Sequence, residues 1–522
     1  MRADFFMVDR SILILYFIGV ILFGAYFRKK SNTSTGFMIA DGRLPGWAVG
    51  LSILGTFVSS ITFLAYPGQA YNFNWDVFVF SLTLPIAAVV AILYFIPLYR
   101  TRVKVSAYEY LEQRFGQWAR IYGSVSFMLG SLARIGMILF LVSLVLHNLT
   151  GWSYATIIII TGAGVTLYTV LGGIEAVIWT DVIQVIILFA GAVITVIILL
   201  TGMPEGPGQI LSIAREHGKF SLGNWKFDLV RPTAWVVVIY GIIENFRNFG
   251  VDQNYVQRYQ TTRTLKEASR SVWTAALLYI PVSALFLFIG TGLFAYYSVH
   301  PELLPSSLNG PLAGDRIYPY FIVTEFPAGL RGLIIAAILA AAMSSIDSSL
   351  NCVSTLSLLD FYKRYLNRDA DDRLCIRMLR VFTVSWGILG TATGLAMIQV
   401  QTALETGWQL AGIAGGGLVG LFLLGILSAR IRRWQAVIAV TASIGSITWA
   451  TFVRDLPGQW AWLECAWHSR LIGVIGTITL LIVGFGLSLL PLSERTPADQ
   501  TGTYLPLNPG GTLQDLEKDT LE

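Results

Sequence analysis

Four serines and an aspartate stand where hydrocarbon-facing side chains are expected. The stretch Ile334–Asp360, IIAAILAAAMSSIDSSLNCVSTLSLLD, reads as a membrane-buried helix, yet it carries Ser344, Ser345, Asp347, Ser348 and Ser349. On a helix Ala341, Ser344, Ser345 and Ser348 share one face, at i, i+3, i+4 and i+7. Small residues on a face also permit close helix packing, and serine can bond its own helix's carbonyls. A carboxylate has no such use. Hydroxyls, carbonyls and a carboxylate are hard oxygen donors that together suit a small hard cation, sodium being the abundant one. A second polar run, Gly55, Thr56, Ser59, Ser60 and Thr62 ahead of Pro67-Gly68, interrupts another apolar stretch. A break there frees backbone carbonyls, which membrane depth tolerates only beside a cavity or within protein.

Other ionisable residues fall inside apolar stretches: Arg134, Asp181, Glu244, Arg247 and Asp252. Each is costly there and is read as functional unless a partner explains it. Glu244 and Arg247, spaced i,i+3, can pair with each other. Asp252 and Arg258, toward the inner end of the same stretch, are read as solvated. His147, His217, His300 and His468 all lie at the ends of apolar stretches or between them, so no Ser–His or metal cluster is available for catalysis. Cys352, Cys375 and Cys465 are too scattered for a disulfide framework or a metal pattern.

The elements that must hold these residues are membrane helices. The chain has 522 residues, 55% hydrophobic and 13% charged, with mean hydropathy +0.64. Apolar runs long enough to cross a hydrocarbon core of about 30 Å recur throughout. Thirteen spans are expected, near 11–27, 47–71, 76–99, 119–147, 154–170, 177–201, 233–256, 270–297, 331–358, 379–398, 405–428, 434–452 and 471–491. The first is not a cleaved leader, because its positive charge follows the apolar run. With the N-terminus outside, the inner loops hold more than twice the Lys and Arg of the outer ones, as in Arg28–Lys30 and Arg430–Arg433. That bias favours a cytoplasmic C-terminus. The net charge of +5 reflects this topology and makes no case for nucleic acid. Residues 492–522 read as a polar cytoplasmic tail without a signalling domain, which disfavours a solute sensor. A channel needs a continuous pore lined by rings of charge or carbonyls, whereas these polar residues cluster at mid-depth in two opposed segments. No obligatory protein partner is evident.

GFMIADGRLPGWAVGLSILGTFVSSITFLAYPG, VSAYEYLEQRFG, YTVLGGIEAVIWTDVIQVIILFAG, DQNYVQRYQTTRTLKEA and AAAMSSIDSSLN together resemble the sodium:solute symporter family, in register over about residues 8–430. The resemblance implies an all-α membrane protein with a leucine-transporter-like, inverted five-plus-five helix repeat and broken helices. The division it implies is 1–46 with the first span, 47–201 as the first repeat, 202–232 as an outer loop, 233–428 as the second repeat, and 429–491 as two accessory spans. It also implies sodium-driven import of a small organic solute across the plasma membrane by alternating access. A first sodium falls on the carbonyls of Gly55, Val58 and Ala341 with the hydroxyls of Ser344 and Ser345. Some members hold a second sodium; the matching positions are Asp181, Ser344 and Ser348, with Asp347 standing where a serine is found.

Solute contacts carried over in the same way are Ser59, Thr62, Ser81, Asn245, Asn248 and Gln409, with Phe78 and Trp408 as walls. The hydrogen-bonding set of the galactose-transporting members is not kept. Arg134 matches an arginine that holds a carboxylate in sialic acid carriers, and a guanidinium fork suits that group. A sialic acid or another monocarboxylate is therefore the expected cargo, with a glucose-, galactose- or inositol-like sugar as the alternative. A structural arginine paired inside the bundle remains the other reading of Arg134. One sodium at a tenfold gradient and 100 mV supplies about 3.7 kcal/mol, of which importing a monoanion takes back about 2.3. A second ion restores steep accumulation.

Overall fold

The computed structural model describes residues 7–58, 60–308, 314–398, 417–453 and 458–490. Its elements are helices, and among the described residues β-structure is confined to an isolated bridge between Leu44 and Thr262. In chain order the main helices are α1 (Met7–Tyr26), α2 (Gly46–Phe57), α3 (Ser60–Asn72), α4 (Phe78–Arg102), α5 (Gln117–Thr150), α6 (Tyr154–Thr201) and α7 (Ala234–Gly250). There follow α8 (Gln253–Gln260), α9 (Leu265–Val299), α10 (Leu330–Leu356), α11 (Asp372–Met397), α12 (Gly417–Leu427), α13 (Arg433–Phe452) and α14 (Ile472–Ser488). Among the described residues nine helices are long and apolar enough to cross a membrane, or ten if the bent pair α2–α3 is one span.

Three departures from the expected spans have local causes. The segments expected at 154–170 and 177–201 are one element, α6, turned at Gly173, whose φ of 58° and ψ of −157° only glycine adopts readily. A Cβ on Gly173 would also come within 2.8 Å of the Phe37 carbonyl. The span expected over 233–256 stops at Gly250; Val251 leaves the helical region, and Asp252 caps the short α8 by accepting from the Asn254 N–H. Of the span expected at 405–428, α12 is described; residues 399–416 lie outside the described residues.

The expected break in the second span is present. α2 and α3 meet at 55°, and Val58 (φ −84°, ψ 86°) ends α2. The serine-bearing α10 is the most enclosed of the long helices, with 94% of its apolar window buried. It packs along α6, against α5, and against α2 and α3 at the break. Its first turn is capped from α1, where buried Asp9 accepts from the N–H groups of Gly329 and Gly332, both at 2.8 Å. An anion there also complements the positive end of the helix dipole. All three cysteines are buried and unpaired.

Candidate ion and solute site

At the break, α2 offers carbonyls that have no helical donor ahead of them. Ser344 Oγ donates to the Gly55 carbonyl at 3.0 Å and to the Ala341 carbonyl at 3.2 Å. Ser345 Oγ is fully buried beside them and has no hydrogen-bond partner among the described residues. A buried hydroxyl without a partner costs about 1–3 kcal/mol, so this arrangement fits an ion that the hydroxyl would help to coordinate. Gly55, Ala341, Ser344 and Ser345 are thus brought together as expected, with Val58 at the corner. Ser349 turns away and donates to the Ser345 carbonyl.

One helical turn along, the expectation for Arg258 fails. Its guanidinium is fully buried rather than solvated. It donates to Asp181 Oδ2 at 3.0 Å, Ser52 Oγ at 2.8 Å, Ser348 Oγ at 2.6 Å and the Asn254 carbonyl at 2.7 Å. Early termination of α7 causes this, because α8 re-enters the bundle and carries Arg258 between α2, α6 and α10. Asp252 is likewise buried, and it faces Arg247 at 3.6 Å. Asp181 Oδ2 also accepts from Ser52 Oγ at 2.5 Å, whereas Asp181 Oδ1 has no hydrogen-bond partner among the described residues. Asp347 lies on the far side of this network, where Oδ2 accepts from Tyr168 OH at 2.5 Å. The network thus holds two buried carboxylates against one guanidinium.

Above the break, Arg134 of α5 donates from Nη2 to the Thr56 carbonyl at 3.0 Å, its one hydrogen bond among the described residues. Most of its fork stays available. Phe57, Phe249, Tyr255 and Tyr279 form a ring cluster with centroids 4.9–6.0 Å apart. Thr62 and Ser81 are buried near the Tyr66–Tyr279 hydroxyl pair, whose oxygens are 3.0 Å apart. Asn245 donates to Thr83 Oγ1 at 2.9 Å and leaves its Oδ1 without a partner among the described residues; Asn248 is buried at the end of α7. Phe78 starts α4 with its ring against Trp75. Glu244 and Arg247 pair as expected. Ser59, Trp408 and Gln409 lie outside the described residues.

Arg258, Ser52, Tyr168 and Gln184 were not singled out as site residues by sequence reasoning. Gln184, one turn from Asp181, has a buried Oε1 without a hydrogen-bond partner among the described residues. A usable signal for Arg258 was its place within the quoted DQNYVQRYQ motif, and for Gln184 its i+3 spacing from Asp181.

The sodium:solute symporter family is matched across residues 37–442. The chain belongs to that family. It is 35% identical over 485 residues to the Sodium/sialic acid symporter SiaT of Proteus mirabilis (strain HI4320), covering 92% of this chain and 95% of that one. Against the Sodium/sialic acid symporter NanT of Aliivibrio fischeri it is 34% identical, covering 93% and 94%. Human Sodium-coupled monocarboxylate transporter 1 is 30% identical over 85% of this chain and 72% of its own length. A Na+-coupled sialic acid symporter, solved substrate-bound and outward-open and said to reveal a novel Na+ site, superposes with a TM-score of 0.85 at 33% identity. That match covers 93% of this chain and 98% of the other. Mhp1, a nucleobase-cation-symport-1 family transporter, shares the fold at a TM-score of 0.56 and 17% identity. This member of the family is therefore a multi-pass, sodium-coupled membrane transporter of leucine-transporter-like architecture.

Proposed function

We propose that the chain imports a sialic acid across the plasma membrane, driven by sodium, with its N-terminus outside and its C-terminus in the cytoplasm. The observation that carries this reading is Arg134 hung on the Thr56 carbonyl at the corner of the broken helix. One hydrogen bond fixes the guanidinium, and its remaining donors can form the two parallel bonds that a carboxylate accepts. The same corner presents the Gly55 carbonyl and the Ser344 and Ser345 hydroxyls. Sodium on Gly55, Val58, Ala341, Ser344 and Ser345 would pin α2 against α10 and so set the backbone from which Arg134 hangs. Ion and solute are coupled through that shared backbone. Thr62, Ser81, Asn245 and Asn248 would meet the hydroxyls of the sugar. The repeats run over 47–201 and 233–428 and alternate access around the break.

A second sodium is favoured by an unused acceptor. Asp181 Oδ1 is buried and accepts no hydrogen bond among the described residues, and a buried acceptor left unsatisfied is costly. Arg258 already occupies Ser348 Oγ and Asp181 Oδ2, so the second ion would use Oδ1 and Ser344 rather than the whole expected set.

Proteoliposome uptake of labelled N-acetylneuraminate under an inward sodium gradient tests the reading, with galactose and pyruvate as competitors. Uptake that needs sodium and is competed by unlabelled N-acetylneuraminate in preference to galactose is expected. Competition by galactose alone would turn the assignment to a neutral sugar, and indifference to sodium would end it.

A further inference from the structure

A cleft of about 480 Å³ runs between the first arm of α6 and α11, on the outer wall of the bundle. Its walls include Leu167 and Val170 of α6 and Val384 and Ile388 of α11, with Leu167 and Ile388 exposed. Its floor forms where the two helices touch through glycine, Gly162 against Thr391 and Gly387 against Thr166. The cleft makes no polar demand, because Thr166 donates to the Gly162 carbonyl at 2.7 Å and Thr391 to the Gly387 carbonyl at 2.8 Å.

Charge waits at one end. Arg380 continues the α11 stripe of Val384, Ile388, Thr391 and Leu395 by one more turn, at i+4 spacing. Its Nε is buried without a hydrogen-bond partner among the described residues. Arg28, just past the end of α1, lies toward the same end: its turn packs against α6, and six residues on the Ser34 N–H donates to Asp372 Oδ1 at the start of α11 at 2.9 Å. Among the described residues neither arginine makes an ion pair. Two cations toward one end of an apolar trough, with no carboxylate paired to either among the described residues, favour an anionic group there.

We propose that this cleft binds an anionic phospholipid from the leaflet on the Arg28 side, its acyl chain in the trough and its headgroup on Arg28 and Arg380. The size is in the ordinary range for a small-molecule site, and basic pockets between membrane helices are suited to anionic headgroups. A second copy of the chain could cover the apolar trough but would leave the arginines unanswered, so the charge decides between the occupants.

Native mass spectrometry of the purified full-length chain, titrated with phosphatidylglycerol or with phosphatidylcholine of the same acyl chains, tests this. Wild type should retain phosphatidylglycerol at lower concentration. Arg28→Ala and Arg380→Ala should each reduce that preference about fivefold, while Arg430→Ala, a basic residue elsewhere, should not. Ala392→Trp, or Ala163→Trp if the first variant folds poorly, fills the trough and should lower retention of both lipids. Equal retention of the two lipids by wild type overturns the proposal, as does an equal effect of Arg430→Ala. So does a tryptophan variant that splits a dimer while lipid binding persists. A sodium-dependent thermal shift in each variant confirms that it is folded.

Discussion

Arg134 and Ser345 have contrasting debts to the fold, and that contrast makes them testable. Arg134 gives one hydrogen bond to the Thr56 carbonyl, so replacing it should cost little stability and much solute affinity. Charge-assisted bonds are each worth about 1.5–3 kcal/mol. Arg134→Ala should therefore weaken N-acetylneuraminate binding about 10- to 100-fold in saturating sodium, with Arg134→Lys recovering only part because it lacks the fork. Calorimetric titration reads this directly, and unchanged affinity in Arg134→Ala would return the residue to a structural role. Ser345 Oγ makes no hydrogen bond among the described residues, so Ser345→Ala has no such bond to lose. Its melting temperature without sodium should match wild type, while the sodium concentration for half-maximal stabilisation rises about tenfold. A variant that melts early but binds sodium normally would show the hydroxyl to be packing. These residues were legible because polar atoms in apolar sequence are conspicuous. Arg258 was not, since its partners Asp181 and Ser52 are 77 and 206 residues away and its own neighbourhood is polar enough to pass for a loop.

At the level of elements, apolar run length located most spans, because hydrocarbon thickness sets it. The break at Val58 was foreshadowed by Gly55, Thr56 and Ser59. The stop at Gly250 was hidden, because the composition of 233–256 gives no hint that α8 turns back inside. A further element outside the spans draws on charge. Glu112, on the short helix Glu109–Phe115, accepts from Arg364 Nη1 at 2.6 Å and Arg120 Nη1 at 2.9 Å. Arg120 Nε also donates to Asp360 at 2.9 Å, so this cluster ties the start of α5 to the turns that follow α10. Burial pushes the Glu112 carboxyl up, but the hydrogen bonds from Arg364 and then Arg120 outweigh that and hold it below its ordinary value of 4.5. A depressed carboxylate stabilises the fold above its unfolded-state value, and that contribution is lost as pH falls through the folded one. Wild type should consequently lose more thermal stability than Glu112→Gln as pH drops below 4.5. Parallel melting curves at pH 7 and below 4.5 would reject the clamp.

For the molecule as a whole, the number of sodium sites sets the electrical work of a cycle. Two sodium ions with one monoanion carry one net positive charge inward, whereas one sodium with the anion carries none. A second ion on Asp181 predicts the electrogenic case, with an equilibrium solute accumulation that shifts with membrane voltage. A voltage-independent equilibrium in proteoliposomes would leave room for one ion only. The enclosure of α10 has a practical corollary as well. Ser345, Ser348 and Cys352 follow one another at i, i+3 and i+7 along that helix, so a native thiol sits on the stripe that carries the ion-site hydroxyls, and all three cysteines are shielded at rest. The unaltered chain is thus a quiet background for maleimide chemistry, and any labelling of Cys352 during turnover would time the moment at which solvent arrives from below.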